Sequence, residues 1–90
     1  MFNVQLEQRV IKYISSRPLK HQIQLKTKIL ELIHEPRPSD SKQLKGFDPY
    51  LRVDSGEYRI IYRIADKTIF VILVGKRNDD EVYKMFKRLF

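Results

Sequence analysis

The fold of this chain is decided by residues 50–83, which read YLRVDSGEYRIIYRIADKTIFVILVGKRNDDEVY. Three apolar runs in this stretch are separated by two short connections, Asp54-Ser55-Gly56 and Ala65-Asp66-Lys67. Connections of this length and composition are typical of the tight turns that join hairpin strands. The stretch therefore predicts an antiparallel meander of three strands.

Alternation along the middle strand predicts what each of its faces contacts, because successive side chains of a strand point to opposite faces. One predicted face carries Arg59 and Arg63 together with Ile61, and the other carries only apolar or aromatic side chains: Tyr58, Ile60, Tyr62 and Ile64. The next run, residues 69–74, is apolar without alternation, which is typical of a strand covered on both faces. We therefore expect one packed layer on each side of the sheet.

A short helix is predicted after the third strand. Asn78 suits the N-cap position, with Glu81 three residues later. Asp79 and Asp80 fall in the predicted first turn, where the helix dipole favours negative charge. The apolar stripe follows helical spacing and consists of Val82, Met85, Phe86 and Leu89. Tyr83 lies at the margin of this stripe, from which it can reach the sheet.

Upstream of the meander, the hydrophobic period predicts one strand and two helices. Alternation over residues 2–6 indicates a short strand. A two-turn helix follows and ends near Ser15-Ser16, and Pro18 precedes a longer helix over residues 19–34. Polar residues 39–47 then predict a loop. The apolar side chains of the longer helix are expected to pack on the sheet: Leu19, Ile23, Leu25, Ile29, Leu30, Leu32 and Ile33.

The order strand, two helices, three strands, helix predicts a single α+β domain over residues 1–90. A first strand that returns beside the last one through a helical crossover would complete a four-stranded, mostly antiparallel sheet. The N-terminal strand and helical hairpin would cover one face of that sheet, and the short C-terminal helix would cover part of the other.

Composition narrows the function classes. The chain of 90 residues has no cysteine and only two histidines, without paired metal-ligand spacing, so a disulfide framework or zinc site is not expected. No apolar run approaches the about 20 residues of a membrane helix, and no signal-peptide core is present, which predicts a cytoplasmic protein. The net charge of +7 favours a polyanionic partner, nucleic acid before membrane.

Lysines on the two predicted N-terminal helices leave two interpretations open. They fit either a solvated helix face or a surface that tracks phosphates along a nucleic acid. The residues concerned include Lys12, Lys20, Lys26 and Lys28.

Four segments together resemble a known family. LRVDSGEYRIIYRI is followed by a strand ending in VGKRNDDEVY, and both stand behind a helical hairpin ending in HEPRP and a QLKGF loop. In this order and spacing they resemble the RelE/ParE superfamily of toxin-antitoxin toxins, most closely its RelE branch, over nearly the whole chain. The resemblance implies a RelE-like microbial-RNase fold and a metal-free endoribonuclease without cofactor, which enters the ribosomal A site and cuts messenger there. It also implies a cognate antitoxin as partner, besides ribosome and mRNA, and no membrane.

By the same resemblance, the catalytic residues are Arg59, Arg77 and Tyr83. RelE-type toxins place lysines on the strand before the hairpin, one of which is taken to help activate the attacking hydroxyl. This chain departs from that pattern, because its strand offers only Arg52, with Asp54 beside the predicted turn, so the general base is unassigned. Further cations are predicted to bind RNA phosphates: Lys42, Lys45, Arg52, Arg63 and Lys76.

The trio suits cleavage of RNA by its own 2′-OH, which leaves a 2′,3′-cyclic phosphate and a 5′-OH. Arginine is always cationic and presents a planar fork to two phosphate oxygens, but for the same reason it is a poor base. We therefore assign Arg59 to the charge on the transition state and Arg77 to the leaving-group side. Tyr83 would stack on a base or orient the 2′-OH.

Structural alternatives accompany these assignments. Arg59 would also fit an ion pair with Glu57 on the same strand face. Arg77 would fit a loop cation near the acidic pair at 79–80, and Tyr83 would fit an ordinary half-buried helix tyrosine.

Alternatives also exist for the function. One is a ParE-like toxin that poisons DNA gyrase without nuclease activity. Another is a non-catalytic basic module that binds RNA or the ribosome.

His21 and His34 are predicted to lie on the helical layer, away from the arginines, and not to form a ribonuclease pair.

Overall fold

The computed structural model describes residues 1–78 and 81–89, in which three helices pack on the two faces of one five-stranded sheet. The sheet order is β1-β5-β4-β3-β2, with β1 parallel to β5 and the other neighbours antiparallel. The predicted α+β class and the helical crossover from the first strand to the side of the last are confirmed. The elements are β1 (Asn3–Leu6), α1 (Gln8–Ser15), α2 (Leu19–His34), β2 (Lys42–Gln43), β3 (Leu51–Ser55), β4 (Tyr58–Ala65), β5 (Thr68–Lys76) and α3 (Glu81–Leu89).

The described sheet has one strand more than predicted, because β2 lies within the segment predicted as a polar loop. Lys42 and Gln43 pair with Arg52 and Leu51 of β3. The neighbouring Leu44 is 1% exposed and joins the core on the α3 side. The polar composition of this segment conceals an edge strand that is only two residues long, so the prediction of an uninterrupted loop was wrong.

Both hairpin turns are shorter than predicted, and the strands before them are correspondingly longer. The turns consist of Gly56-Glu57 and Asp66-Lys67. Gly56 has φ +58° and Asp66 has φ +55°, a left-handed conformation that glycine adopts freely and aspartate tolerates. As a consequence, Asp54 is not a turn residue but lies within β3, directly opposite Arg59 of β4.

A bulge in β5 shifts the alternation of its side chains between the two faces of the sheet. Ile61 and Tyr62 of β4 pair with Leu73 and Val71, so Ile72 is the extra residue between them. Ile72 and Leu73 therefore both pack on the α3 side, whereas Val71 packs against the helical hairpin of α1 and α2. The prediction that this strand is covered on both faces is confirmed.

The helical hairpin contributes fewer side chains to the core than predicted. On α2, the buried residues are Leu25, Ile29 and Leu32. Three apolar residues lie at least about 120° around the helix from Leu25, at about 100° per residue, and are exposed to solvent. The prediction that all seven apolar residues of this helix pack was wrong for three that are 57–71% exposed: Leu19, Ile23 and Leu30.

Helix α3 covers the opposite face of the sheet through Val82 and Phe86, which are buried. A Cβ on Gly75 of β5 would lie 3.3 Å from Val82 Cβ, so the missing side chain allows this close approach. The prediction that Leu89 belongs to the buried stripe was wrong, since it is 48% exposed in a final turn that is exposed as a whole. The N-cap and first turn predicted around Asp79 and Asp80 lie outside the described residues.

His21 lies on the helical layer as predicted, but it also contacts the sheet. Its Nδ1 is 2.8 Å from the hydroxyl of Tyr58 and 3.3 Å from a carboxylate oxygen of Glu57. His34 is exposed at the end of α2.

None of the helices in residues 1–78 and 81–89 combines the length and the apolar character needed to cross a membrane.

Candidate active site

Arg59 is fixed on the α3 face of the sheet by contacts from two elements. Its Nε donates to Asp54 Oδ1 at 2.7 Å, and its Nη2 donates to Asp54 Oδ2 at 3.3 Å. Its Nη1 donates to the hydroxyl of Tyr83 on α3 at 3.1 Å. Because Asp54 is the cross-strand partner of Arg59, the geometry of the sheet itself sets the ion pair. The Arg59 side chain is only 15% exposed.

Arg77 reaches the same carboxylate from the end of β5. Its backbone N–H donates to the carbonyl of Glu57 at 3.0 Å, which ties this residue to the β3–β4 turn. Its Nη1 lies 3.6 Å from Asp54 Oδ2, and half of its side chain is exposed. Asp54 therefore lies between two guanidinium groups that come from different strands.

The position of Tyr83 follows from the packing of α3 on β5. The helix approaches closely over Gly75, and Val82 fills the space that a side chain would occupy. Tyr83 is the next residue, and its ring centroid lies 5.5 Å from the guanidinium carbon of Arg59. The three residues predicted to be catalytic are thus brought together around Asp54, and their roles remain a prediction.

The charges at this cluster stabilise one another. The hydrogen bonds from Arg59 hold the pKa of Asp54 below its ordinary value; partial burial opposes this effect, while the charges of Arg59, Arg77 and Arg52 add to it. The same hydrogen bonds raise the pKa of Arg59. Asp54 is therefore an ionised carboxylate at neutral pH.

A cationic groove of about 490 Å³ begins at Tyr83 and runs toward β2. Two residues predicted to bind phosphate, Arg52 and Lys45, line this groove. Tyr83 was predicted as a site residue, but Lys84 and Lys87 were not, although Lys87 stands four residues after Tyr83 and therefore on the same side of a helix. The groove is lined by Gln43, Lys45, Phe47, Arg52, Tyr83, Lys84 and Lys87.

The remaining predicted phosphate ligands do not line this groove, although Lys42 pairs across the sheet with Arg52. Arg63 is on the same sheet face as Arg59, but its guanidinium carbon sits 4.2 Å from the ring centroid of Phe70, beside a separate pocket. Lys76 pairs across the sheet with Tyr58, which packs toward the helical hairpin, so it leaves the sheet on the other face. Lys42 is exposed on β2.

Arg59 does form an ion pair, but not with Glu57, the partner considered in the alternative interpretation. Its carboxylate is Asp54 on the neighbouring strand, whereas Glu57 lies in the turn and contacts His21. The carboxylates predicted near Arg77, at positions 79 and 80, lie outside the described residues. Within the part of the chain that the structure describes, His, Asp and Glu do not form groups of three or more that could hold a metal ion.

Removing the charge of Asp54 is expected to change the dependence of stability on pH. Because the folded pKa of Asp54 is depressed, its contribution is fully present above the unfolded pKa, about 4, and is lost as pH falls through the folded pKa. Asp54→Asn should therefore be less stable than wild type at pH 7, and this difference should shrink as the solution is acidified below about pH 4. Urea unfolding across this range measures it, and a difference independent of pH would contradict the expectation.

Comparison with known proteins identifies several relatives. A family model described as ParE toxin of type II toxin-antitoxin system, parDE, matches residues 8–81. The chain is 41% identical over 64 residues to mRNA interferase toxin RelE of Escherichia coli K12, a match that covers 67% of this chain and 66% of that protein. The match therefore spans just under two thirds of the length of this relative.

Two solved structures are similar over most or all of the chain. The isolated RelE toxin of E. coli superimposes with a TM-score of 0.75 at 28% identity and covers 100% of both chains. RelE from an archaeal RelE–RelB complex of Pyrococcus horikoshii superimposes with a TM-score of 0.77 at 27% identity, covering 87% of this chain and 97% of that one.

Proposed function

This chain belongs to the RelE/ParE family of type II toxin-antitoxin toxins, and we propose that it is an endoribonuclease that cuts messenger RNA in the ribosomal A site. The observation that carries the proposal is the convergence of Arg59, Arg77 and Tyr83 around one carboxylate, with Tyr83 also lining a cationic groove. The E. coli relative that matches this chain is named an mRNA interferase.

The reaction proposed for this cluster uses the RNA's own 2′-OH as nucleophile. The 2′ oxygen attacks the adjoining phosphorus, the bond from phosphorus to O5′ breaks, the 2′-OH loses its proton and O5′ gains one. The products are a 2′,3′-cyclic phosphate and a 5′-OH. Negative charge increases on the non-bridging oxygens and on O5′, so fixed cations directed at these atoms accelerate the step.

Arg59 is suited to the charge on the non-bridging oxygens. Asp54 accepts hydrogen bonds from its Nε–H and from one N–H of Nη2, and the hydroxyl of Tyr83 accepts one from Nη1. One N–H on each of Nη1 and Nη2 lies outside these bonds and is available for phosphate oxygens. Arg77 contacts the same carboxylate with half of its side chain exposed, and we assign it to the leaving oxygen.

The groove is suited to the nucleotides next to the cleaved bond. Its cations Lys45, Arg52, Lys84 and Lys87 would bind phosphates, and its aromatic side chains Phe47 and Tyr83 offer faces for stacking. Flexible RNA seldom holds the 2′-OH in line with O5′, and a messenger held in the A site would be presented to the cluster in one conformation. This dependence on the ribosome also gives the proposed location, the cytoplasm.

We also propose a cognate antitoxin as the partner of this chain. The P. horikoshii structure that matches at a TM-score of 0.77 contains RelE together with RelB. A net charge of +7 on 90 residues favours an antitoxin segment that is acidic where it contacts this protein.

The test of the proposed activity is to incubate programmed ribosomes with the protein and to map the ends of the messenger. We expect cuts within the A-site codon, with 5′-OH ends that polynucleotide kinase labels without prior phosphatase treatment. The double variant Arg59→Ala/Arg77→Ala, purified in parallel, controls for contaminating ribonuclease. Intact messenger with trapped gyrase complexes would favour the ParE-like alternative, and ribosome binding without cleavage would favour the non-catalytic module.

A further inference from the structure

Asp54 is the common contact of the candidate catalytic arginines. It lies 2.7 Å from Arg59 Nε and 3.6 Å from Arg77 Nη1, and through Arg59 it is linked to the hydroxyl of Tyr83. Its side chain is about one third exposed, so it borders the site that RNA would enter. The cleavage reaction as proposed above leaves this carboxylate without a role.

The contact geometry shows what the carboxylate does to Arg59. A long arginine side chain has several rotatable bonds, and free in solution it would sample many orientations. Two hydrogen bonds to Asp54 hold one edge of its guanidinium against β3. This leaves the Nη1–Nη2 edge as the part that points away from the ion pair.

Asp54 also compensates for the repulsion between two like charges. Arg59 and Arg77 both lie within 4 Å of the same carboxylate, and without it two neighbouring guanidinium groups would repel each other. Arg77 is half exposed and would then be free to turn toward solvent.

We propose that Asp54 is a positioning residue for RNA cleavage: its carboxylate orients Arg59 and keeps Arg77 beside it, so that both are aligned for one phosphate before RNA binds. This inference rests on the proposed function and adds a residue to that site. Removing Asp54 should slow the cleavage step, because the two arginines are then no longer aligned. It should leave RNA binding unchanged or make it tighter, because the same carboxylate repels the RNA phosphate.

A double-mutant cycle separates positioning from direct participation. If Asp54 acts through Arg59 and Arg77, then Asp54→Ala lowers the rate much less in the Arg59→Ala background than in wild type, because one of the two groups that it orients is already gone. If Asp54 were the general base that accepts the 2′-OH proton, the two losses would multiply. Multiplying losses would overturn the inference.

The rate measurement is single-turnover cleavage on programmed ribosomes. We expect Asp54→Asn and Asp54→Ala each to lower the rate constant at saturation by about 10- to 100-fold, the scale of a misplaced catalytic group. The ribosome concentration at half-saturation should stay equal or decrease. The matched control is Asp40→Asn, which removes a carboxylate that pairs with Lys28, and its rate should stay within about twofold of wild type.

A second measurement is independent of ribosomes and of cleavage. The Nε–H resonance of Arg59 in the free protein, identified by its absence in Arg59→Lys, reports the hydrogen bond to Asp54. It should shift and exchange faster with water in Asp54→Asn, and an unchanged resonance would overturn the inference. Wild-type protein that leaves messenger intact would overturn the proposed function. Wild-type cleavage together with an unaltered rate in Asp54→Asn would overturn only the role of Asp54.

Discussion

Arg59→Ala and Arg77→Ala are each expected to lower the rate of messenger cleavage on programmed ribosomes by at least about 100-fold, the scale for loss of one transition-state donor. The reason is that the charge on the phosphorane and on O5′ exists only during the reaction, so a cation directed at these atoms contributes to the rate more than to binding. Affinity for ribosomes should therefore change much less than the rate constant. Stopped single-turnover reactions with quantified messenger ends measure both quantities.

Arg63→Ala is the matched control for these two variants. Arg63 is on the same strand and the same sheet face as Arg59, but its guanidinium lies over the ring of Phe70. Removing it subtracts the same charge from the protein. Since Arg63 is predicted to bind a phosphate and not the reacting atoms, any loss should affect affinity, and the rate constant at saturation should stay within about threefold of wild type. Activity of Arg59→Ala and Arg77→Ala close to that of Arg63→Ala would contradict the assignment of the site.

The strand face on which Arg59 lies was predictable from sequence because it depends only on alternation within β4. Tyr58, Ile60 and Tyr62 pack toward the helical hairpin, and Ile61 packs toward α3. Helical spacing likewise predicted that Val82 and Phe86 are buried and that Tyr83 is at their margin. These are local properties of one strand or one helix, and local periodicity is the information that a sequence expresses most directly.

The register between strands was not predictable in the same way. The composition Asp-Ser-Gly predicts a turn at Asp54, and only the two-residue turn at Gly56-Glu57 places it opposite Arg59. A shift of one residue in that turn would have exchanged the faces of every side chain on β3. The ion pair considered as an alternative role for Arg59 was for this reason drawn with Glu57, which is nearer in sequence, and that partner was wrong.

The groove was missed because it joins residues from four separate segments, among them Arg52 of β3. Gln43 lies on an edge strand of two residues, Lys45 and Phe47 follow in the loop, and Lys84 and Lys87 project from α3. No pattern within any one of these segments indicates that they meet. The positions depend on how closely α3 packs on β5, and that distance is set by the absence of a side chain at Gly75.

Reversing two charges in the groove gives the second large expected effect. Lys84→Glu combined with Lys87→Glu should weaken binding to programmed ribosomes by at least about tenfold at low salt, because two cations beside RNA phosphates become anions. The loss should decrease as salt is added. In a plot of log affinity against log salt, the negative slope should become shallower by about two. The rate constant at saturation should change by less than about threefold, since neither lysine contacts Arg59 or Asp54 in the described hydrogen bonds.

Lys20→Glu combined with Lys26→Glu is the matched control, because it changes the net charge equally on the exposed side of α2. If the groove binds RNA, this pair should weaken binding much less than the groove pair, since its charges act only through the screened field of the whole protein. Equal losses in the two variants would mean that total charge, and not the groove, determines affinity. A larger loss in the α2 pair would instead favour the interpretation in which the lysines of the helical hairpin track phosphates, and it would move the RNA-binding surface to the other face of the sheet.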